Sequence, residues 1–284
     1  MQSLYDISAP AKINLFLHIV GRRADGYHLL QSVFVLIDWC DTLHFERRAD
    51  GRISREDLTT PLPDDDLVVR AARLLQQRTG CRYGAHIGIA KSIPAQAGMG
   101  GGSSDAASVL LALNQLWGLR LPLSQLLELG LTLGADVPFF LQGRNAWVEG
   151  VGEIMTPIDL PSSNYLVVKP AQGLDTRLIF SDSSLKRDTN PATIEGFATD
   201  VHGFGCNDMQ NVATRLCPDI NQAISWLAEF GLSGRMTGSG SAVFAPLKGH
   251  HANVSFQRHP PAGMVARVCS SLDVHPLMGW ACSG

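Results

Sequence analysis

The segment 94–107, Pro-Ala-Gln-Ala-Gly-Met-Gly-Gly-Gly-Ser-Ser-Asp-Ala-Ala, has the composition of an anion-binding loop. Its four glycines let backbone N–H groups approach an anion without a clash from a Cβ atom. A helix that starts here adds free N–H groups and the positive end of its dipole. The segment has neither a Walker A lysine nor a complete Gly-x-Gly-x-x-Gly pattern. It predicts phosphate binding by another type of loop, with a flexible glycine-rich turn as the alternative.

Two charged side chains in apolar surroundings could act on a hydroxyl group. Asp136, in Leu133-Gly-Ala-Asp-Val-Pro-Phe-Phe140, could accept the proton of a substrate hydroxyl. An aspartate two residues before a proline also suits a helix N-cap. Lys12, in Pro10-Ala-Lys-Ile-Asn-Leu15, lies in an apolar stretch, where an ammonium is costly unless it reaches water or an anion. An edge-strand lysine that extends to solvent would give the same pattern.

A second glycine-rich segment, Met236-Thr-Gly-Ser-Gly-Ser-Ala-Val-Phe244, predicts a tight polar loop before a strand. Taken alone, it is as typical of an ordinary hairpin turn. It becomes a candidate binding element only as a partner of the first glycine-rich loop.

The strand that must position Lys12 is predicted between Ile7 and Val20. Its side chains alternate between two sets, which are Ile13, Leu15, Leu17 and Ile19 in one and Lys12, Asn14, Phe16 and His18 in the other. A period of two predicts a strand with one core face and one functional or wet face. A turn is predicted next, at Ala24-Asp-Gly26.

The rest of the pattern favours an α+β fold, because strands and helices interleave without regular βαβ alternation. Strands are predicted at 32–38, 41–47, 85–90, 146–149, 165–169 and 242–247. Helices are predicted at 66–78, 103–117, 124–133, 207–216 and 219–230, the second capped by Ser103, Ser104 or Asp105. The segment Asp-Leu-Pro-Ser-Ser-Asn at 159–164 is the predicted linker, which divides the chain into domains 1–158 and 159–284.

Composition excludes several classes of protein. Of the 284 residues 45% are hydrophobic and 17% are charged, which permits a packed core and excludes global disorder. A net charge of −3 gives no general attraction to nucleic acid or to an anionic membrane. Apolar runs are far shorter than the roughly 18 residues of a membrane-spanning helix, and the N-terminus lacks the pattern of a signal peptide.

Cysteine and histidine usage fits the same class. The six cysteines, at positions 40, 81, 206, 217, 269 and 282, form no Cys-x-x-Cys pair. Unpaired thiols predict a reducing, cytoplasmic compartment. The adjacent His250 and His251 lie in a polar segment and are expected to be solvated rather than metal-bound.

In this order, the lysine, glycine-rich, aspartate and second glycine-rich segments resemble those of the GHMP kinases, which include galactokinase, homoserine kinase and mevalonate kinase. The match runs from residue 8 to residue 247. Asp25-Gly-Tyr-His28 resembles the branch that phosphorylates the 2-hydroxyl of a cytidine diphosphate derivative of methylerythritol, in the non-mevalonate isoprenoid pathway. The resemblance implies an N-terminal domain like domain 2 of ribosomal protein S5 and a ferredoxin-like C-terminal domain, with both substrates in the cleft between them.

The resemblance also implies roles for individual residues. The catalytic pair would be Lys12 and Asp136, and Ser104 would be a ligand of Mg²⁺. The ATP-binding residues would be Pro94, Ala95, Gln96, Ala97, Gly98, Met99, Gly100, Gly101, Gly102, Ser103 and Ser104. The residues that bind the cytidine substrate would be Asn14, Tyr27, His28, Thr176 and Phe180. Because Ala95-Gln-Ala97 is less glycine-rich than in some relatives, 98–104 is the firmer phosphate contact.

ATP with Mg²⁺ would be the cofactor, and phosphoryl transfer needs positioning and charge stabilisation more than covalent chemistry. Asp136 would orient and deprotonate the acceptor, while Lys12 keeps it ionised and offsets developing charge. Tyr27 would stack on cytosine opposite Phe180, and His28 would read the base edge. We expect no nucleic-acid or membrane partner, and a monomer or weak dimer.

Two alternatives stay open. A different GHMP kinase, for homoserine or mevalonate, is disfavoured by Tyr27 and His28, because a ring beside a donor and acceptor suits a nucleobase. A nucleotide sensor or RNA-binding protein that uses the S5-like fold is disfavoured by the net charge of −3 and by the presence of both Lys12 and Asp136.

Overall fold

Two long antiparallel strands at the N-terminus position most of the predicted site residues. These are β1 (Ser3–Arg22) and β2 (His28–Arg48), which are joined by a turn at the predicted place. They belong to a computed structural model that describes residues 2–247 and 259–282. His250 and His251 lie outside the described residues.

The remaining elements alternate irregularly between strand and helix. In the first half they are β3 (Ile53–Asp57), α1 (Leu67–Thr79), β4 (Gly84–Ala90), α2 (Gly101–Leu116), α3 (Leu123–Leu133), α4 (Val137–Gln142), β5 (Ala146–Glu149) and β6 (Ile154–Pro157). In the second half they are β7 (Asn164–Lys169), α5 (Thr176–Ser181), α6 (Ile194–Ala198), α7 (Gln210–Leu216), α8 (Asp219–Ala228), β8 (Arg235–Met236), β9 (Val243–Leu247) and β10 (Val265–Leu272).

Within the described residues the strands form one sheet, in the order β3-β4-β2-β10-β7-β9-β8. Strand β1 pairs with β2, and β5 pairs with both β2 and β6. Strand β10 was not predicted, and it lies between β2 and β7 and so connects the strands of the two halves. The boundary at residue 158 stays a prediction, and residues 158–163 join β6 to β7 without regular structure.

A bulge in β1 overturns the predicted assignment of its two faces. The register with β2 shifts between Asn14 and Leu17, so the alternation of side chains reverses there. After the bulge, Phe16 packs in the same core as Ile13, while Leu17 lines the same cavity as Lys12 and Asn14. The prediction that Phe16 and His18 share the functional face of Lys12 was therefore wrong.

Two further predictions need correction. The strands predicted at 32–38 and 41–47 are one continuous strand, β2, whose central residues are buried on both faces. The predicted serine cap of α2 is also wrong, because the helix begins at Gly101 after Gly100, which has a left-handed φ of 70°. Ser103, Ser104 and Asp105 therefore lie inside the first turns of the helix.

Three apolar cores hold these elements together. One packs helices α1–α4 on β2 and β4, and a second packs α7 and α8 on β7 and β9. The third contains residues from both halves of the chain and from the glycine-rich loop, including Ile13, Phe16, Ala97, Met99, Tyr165 and Phe244. The loop is thus anchored by its apolar side chains, which leaves its glycines at the surface of a rigid support. No helix in the described ranges could cross a membrane.

Fold stability is expected to fall in mild acid because of His275, which is 1% exposed. Its Nδ1 accepts a hydrogen bond from the backbone N–H of Leu277, and its Nε2 is buried without a partner among the described residues. Burial lowers the pKa of His275 to about 4, so the unfolded chain takes up a proton at higher pH than the folded chain. The contribution of neutral His275 to the free energy of unfolding is therefore complete above pH ~6.5, and it is lost as the pH falls towards 4.

Urea unfolding at pH 7.5 and at pH 5 measures this loss, which we expect to be about 2 kcal/mol from His275. The variant His275→Asn keeps an acceptor near Nδ1 but cannot titrate, so its difference between the two pH values should be smaller by that amount. An equal difference in both proteins would contradict the assignment.

Candidate active site

The two glycine-rich loops meet at their backbones. A Cβ atom at Gly98 would lie 2.3 Å from the carbonyl oxygen of Thr237, and one at Gly238 would lie 2.6 Å from the carbonyl oxygen of Gly98. Both glycines have positive φ, of 71° and 53°. The backbone N–H groups of Ser241 and Ala242 also donate to carbonyls of the first loop, at 3.2 Å each. The second glycine-rich loop therefore contacts the first, as its role as a candidate binding element requires.

A cavity of about 620 Å³ opens along the first glycine-rich loop and the N-terminus of α2. Every predicted ATP-binding residue except Ser104 lines this cavity. Ser103 lines it, whereas Ser104 is 0% exposed and its hydroxyl is buried without a partner among the described residues. The hydroxyl that the cavity exposes is therefore that of Ser103, and the role of Ser104 as a metal ligand stays a prediction.

Lys12 and Asp136 face each other at the edge of this region. The Lys12 Nζ lies 3.7 Å from Asp136 Oδ2 and is 4.5 Å from the centroid of the Phe34 ring. The Lys12 backbone N–H donates to the Met99 carbonyl at 3.0 Å, which ties β1 to the glycine-rich loop. The side chain of Lys12 is buried, while that of Asp136 is 34% exposed to the cavity. A buried cation thus lies beside a carboxylate that a ligand can reach.

Asn14 orients the lysine. Its Oδ1 accepts from Lys12 Nζ at 2.6 Å, and its Nδ2 donates to Ser32 Oγ at 2.8 Å. The Asn14 backbone N–H donates to Thr237 Oγ1 at 2.8 Å, so the second glycine-rich loop also reaches this network. Asn14 was predicted to bind substrate, and its 1% exposure makes it foremost a support for Lys12.

The charge of Lys12 is balanced between two opposing effects. Burial lowers the pKa of Lys12, and the Asp136 carboxylate acts in the opposite direction. A desolvated ammonium is a stronger electrostatic partner for a nearby anion than one in water. The site therefore holds a buried cation that would attract an anion in the cavity.

A second cavity, of about 820 Å³, adjoins the first and includes the catalytic candidates. All residues predicted to bind the cytidine substrate line it, together with Lys12 and Asp136. Tyr27 is 65% exposed at this cavity. Thr176 begins α5 and its Oγ1 lies 2.6 Å from Ser239 Oγ, so this residue links α5 to the second glycine-rich loop.

His28 and Phe180 form a stacked pair in the same cavity. Their ring centroids are 4.8 Å apart, and the planes differ by 24°. Arg187 Nε donates to His28 Nε2 at 3.0 Å, so one of the two ring nitrogens that were predicted to read a base is already bonded. Of the two ring nitrogens, a ligand could therefore use only Nδ1.

Sequence reasoning missed a buried charge cluster beneath the glycine-rich loop. Lys91 Nζ donates to Asp105 Oδ2 at 2.5 Å and to Asp41 Oδ2, while Asp41 Oδ1 accepts from the N–H groups of Ser92 and Ile93. Burial raises the pKa of Asp105, and this effect outweighs the opposing effect of the Lys91 ammonium. A lysine directly after a buried strand was the available signal in the sequence.

Lys91→Met is expected to destabilise the fold by about 3 kcal/mol at pH 7.5, because two buried carboxylates lose their shared cation. The deficit should shrink at pH 5.5, since protonation of Asp105 removes the repulsion between the carboxylates. Urea unfolding at both pH values measures this, with Lys91→Arg as the control that keeps the charge. A deficit that does not change with pH would assign the loss to packing instead.

Two family matches cover most of the regions described above. The GHMP kinases N terminal domain matches residues 66–144, and the GHMP kinases C terminal domain matches residues 190–259. The first match contains the glycine-rich loop and Asp136, and the second contains the loop at 236–244.

Full-length relatives extend the match to the whole chain. The 4-diphosphocytidyl-2-C-methyl-D-erythritol kinase of Albidiferax ferrireducens is 68% identical over 283 residues, which cover 100% of this chain and 97% of the relative. The protein of the same name from Variovorax paradoxus is 62% identical and covers 99% of this chain and 100% of its own length.

Solved structures agree with the sequence matches. A crystal structure of 4-(cytidine 5'-diphospho)-2C-methyl-D-erythritol kinase superposes with a TM-score of 0.81 at 34% identity, covering 94% of this chain and 98% of that one. Homoserine kinase from Cytophaga hutchinsonii has a TM-score of 0.68 at 17% identity, with coverage of 97% and 96%. At that identity the likeness shows the fold alone.

Proposed function

This chain belongs to the GHMP kinases, and from that premise we propose that it transfers the γ-phosphoryl group of ATP to the 2-hydroxyl of 4-diphosphocytidyl-2-C-methyl-D-erythritol. The two-domain GHMP kinase fold predicted from the sequence is confirmed, and so is the prediction of a kinase. The substrate follows from the relatives that match along the full chain under that name, at 59–68% identity.

One observation carries the proposal. A single cavity is lined by the catalytic candidates, by Gly98 and Gly100 of the phosphate loop and by the residues proposed to hold a nucleobase. Asp136 and Lys12 line this cavity together with both other groups. In the proposed reaction the acceptor hydroxyl and the γ-phosphate meet beside them. A kinase for a nucleotide-linked alcohol needs this combination of sites.

In the proposed reaction, an Asp136 carboxylate oxygen accepts the proton of the 2-hydroxyl as its oxygen attacks the γ-phosphorus. The bond from that phosphorus to the bridging oxygen breaks, and ADP leaves with the electron pair. Lys12 offsets the charge that spreads over the transferring group, and Asn14 holds its ammonium in place. The free N–H groups at the start of α2 bind the phosphates.

Mg²⁺ belongs to the proposal as the partner of ATP. Among the described residues no group of three or more histidine, cysteine or acidic side chains could hold a metal ion. The site still fits Mg²⁺, which commonly uses one or two protein oxygens and completes its shell with phosphates and water. Ser103 and Asp136 supply such oxygens in the cavity. When bound, the ion would neutralise part of the charge of the phosphates.

For the cytidine half of the substrate, we assign Tyr27 and Phe180 as stacking rings and His28 as the reader of the base edge. The exposure of Tyr27 leaves its ring face available, and Phe180 lines the same cavity. A net charge of −3 and unpaired cysteines support a cytoplasmic enzyme acting on a free small molecule, and the expected monomer or weak dimer stays a prediction.

ADP release against a panel of alcohols tests the proposal. The panel contains the cytidine substrate, its uridine analogue, mevalonate and homoserine, each with ATP and Mg²⁺. We expect turnover with the cytidine substrate and at most a small fraction of it with the others. Preference for mevalonate or homoserine would replace the proposed acceptor, and ATP binding without turnover on any alcohol would favour the sensor alternative.

A further inference from the structure

Arg187 connects the two aromatic residues of the proposed cytidine site from outside the cavity. Its Nε donates to His28 Nε2 at 3.0 Å, and its Nη2 donates to the Phe180 carbonyl at 3.0 Å. Two further bonds, to the carbonyls of Asp182 and Leu185 at 2.8 and 2.9 Å, fix the guanidinium. Arg187 is half-buried and does not line the cavity itself, so any effect on substrate passes through its neighbours.

The bond from Arg187 determines which nitrogen of His28 carries a proton. A guanidinium can only donate, so His28 Nε2 must be the acceptor. The ring is neutral, because burial lowers the pKa of His28 and the charges of Arg187 and Arg22 lower it further. A neutral imidazole has one N–H, which therefore lies on Nδ1. Nothing in the described part of the chain bonds to Nδ1, which leaves it available to a ligand.

A fixed N–H donor distinguishes the two pyrimidines. Cytosine presents acceptors at N3 and O2, whereas N3 of uracil carries a hydrogen and is a donor. Against an Nδ1–H group, uracil N3–H would place two donors face to face and leave both without a partner. If the imidazole were free to exchange tautomers, Nδ1 could become an acceptor and tolerate uracil. Rejection of uracil thus depends on what holds the tautomer.

We propose that Arg187 is a positioning residue that determines base specificity, because it holds His28 in the Nδ1–H tautomer and so makes the site accept cytosine and reject uracil. The proposal rests on the proposed function. The same guanidinium holds the C-terminal end of α5 through Phe180 and Asp182, so the reader and the stacking ring are fixed by one side chain.

Three substitutions separate this role from general support. Arg187→Gln keeps a polar side chain, but an amide can both donate and accept, so the tautomer is released. Arg187→Lys keeps a group that only donates and should retain the tautomer. Arg215→Gln is the matched control, because Arg215 bonds to Asp182 and Ser184 on the same segment without touching His28.

The kinetic readout is the ratio of kcat/KM for the cytidine substrate to that for its uridine analogue. In Arg187→Gln we expect this ratio to fall about 10- to 100-fold, through KM more than kcat, because the penalty of an unpaired buried group is lost. Arg187→Lys should lie closer to wild type, and Arg215→Gln should match it. Adding Arg187→Gln to His28→Ala should change the ratio no further.

¹⁵N chemical shifts of the His28 imidazole give a readout that does not depend on turnover. Wild type should show a protonated Nδ1 and an unprotonated Nε2, and Arg187→Gln should show both forms in exchange. A protonated Nε2 in wild type, or an unchanged substrate ratio in folded Arg187→Gln, would overturn the proposal. A wild type that does not phosphorylate the cytidine substrate would instead refute the proposed function, and the two failures are distinguishable.

Discussion

Replacing Asp136 with Asn is expected to lower kcat by about 10²–10⁴-fold, the usual contribution of a general base. The substitution keeps the shape of the side chain but removes its ability to accept the proton of the acceptor hydroxyl. Binding of ATP and of the cytidine substrate should change little, because the phosphate loop and the aromatic residues are untouched. Steady-state kinetics with both substrates varied measures this.

The structure also supplies the control for that experiment. Asp136 occupies the N-cap position of α4, as the alternative interpretation of its motif predicted, but its side chain makes no capping hydrogen bond. No capping bond is lost, so the cost in stability should come only from the ion pair with Lys12, and we expect a folded variant whose free energy of unfolding falls by about 1 kcal/mol. Near-normal turnover in Asp136→Asn would assign the residue to the helix terminus alone.

Lys12→Met is expected to cause a loss of kcat comparable to that of Asp136→Asn. The methionine fills a similar volume but leaves no cation beside Asp136 and the transferring phosphoryl group. Because burial already lowers the pKa of Lys12, removal of the charge should not by itself unfold the protein. The melting temperature of the variant checks this last point.

The double variant tests whether the two residues act as a unit. If Asp136 works only when Lys12 lies beside it, Lys12→Met combined with Asp136→Asn should be about as slow as either single variant. Losses of kcat that multiply would show that Lys12 and Asp136 contribute independently.

The residues of the candidate site were easier to predict from the sequence than the strand register and buried charge pairs that position them. The glycine-rich segments were recognisable because a close approach of two backbones requires glycine. The structure places Gly98 directly against the backbone of Thr237. Family resemblance then indicated which lysine and which aspartate to inspect. Lys12 and Asp136, more than 100 residues apart, lie 3.7 Å apart in the structure.

Features that depend on register were not predictable from one sequence. The bulge after Asn14 moves Phe16 into a core and Leu17 towards the cavity, because one extra residue reverses every later side chain. The start of α2 was placed too late for a related reason. The backbone turns into the helix at Gly100, and no side-chain cap marks that point.

Supporting charges were missed because their partners are distant in sequence. Lys91 bonds to Asp41 across 50 residues, and Arg187 bonds to His28 across 159. The position of Lys91 directly after a strand was the one local signal, and Arg187 alone resembles an ordinary surface charge. Such contacts arise only when separate parts of the chain are brought together by the fold.

The central claim, that Asp136 and Lys12 transfer phosphate to the cytidine substrate, is tested most directly by following the label from ATP carrying ³²P in its γ-phosphate. Wild type should move the label to 4-diphosphocytidyl-2-C-methyl-D-erythritol as a phosphate monoester on the 2-hydroxyl, with one ADP formed per label transferred. Asp136→Asn, with ATP binding intact, should transfer it at least about 100-fold more slowly. Label that stays on ATP in the wild type, or reaches the acceptor equally fast in both proteins, would contradict the claim.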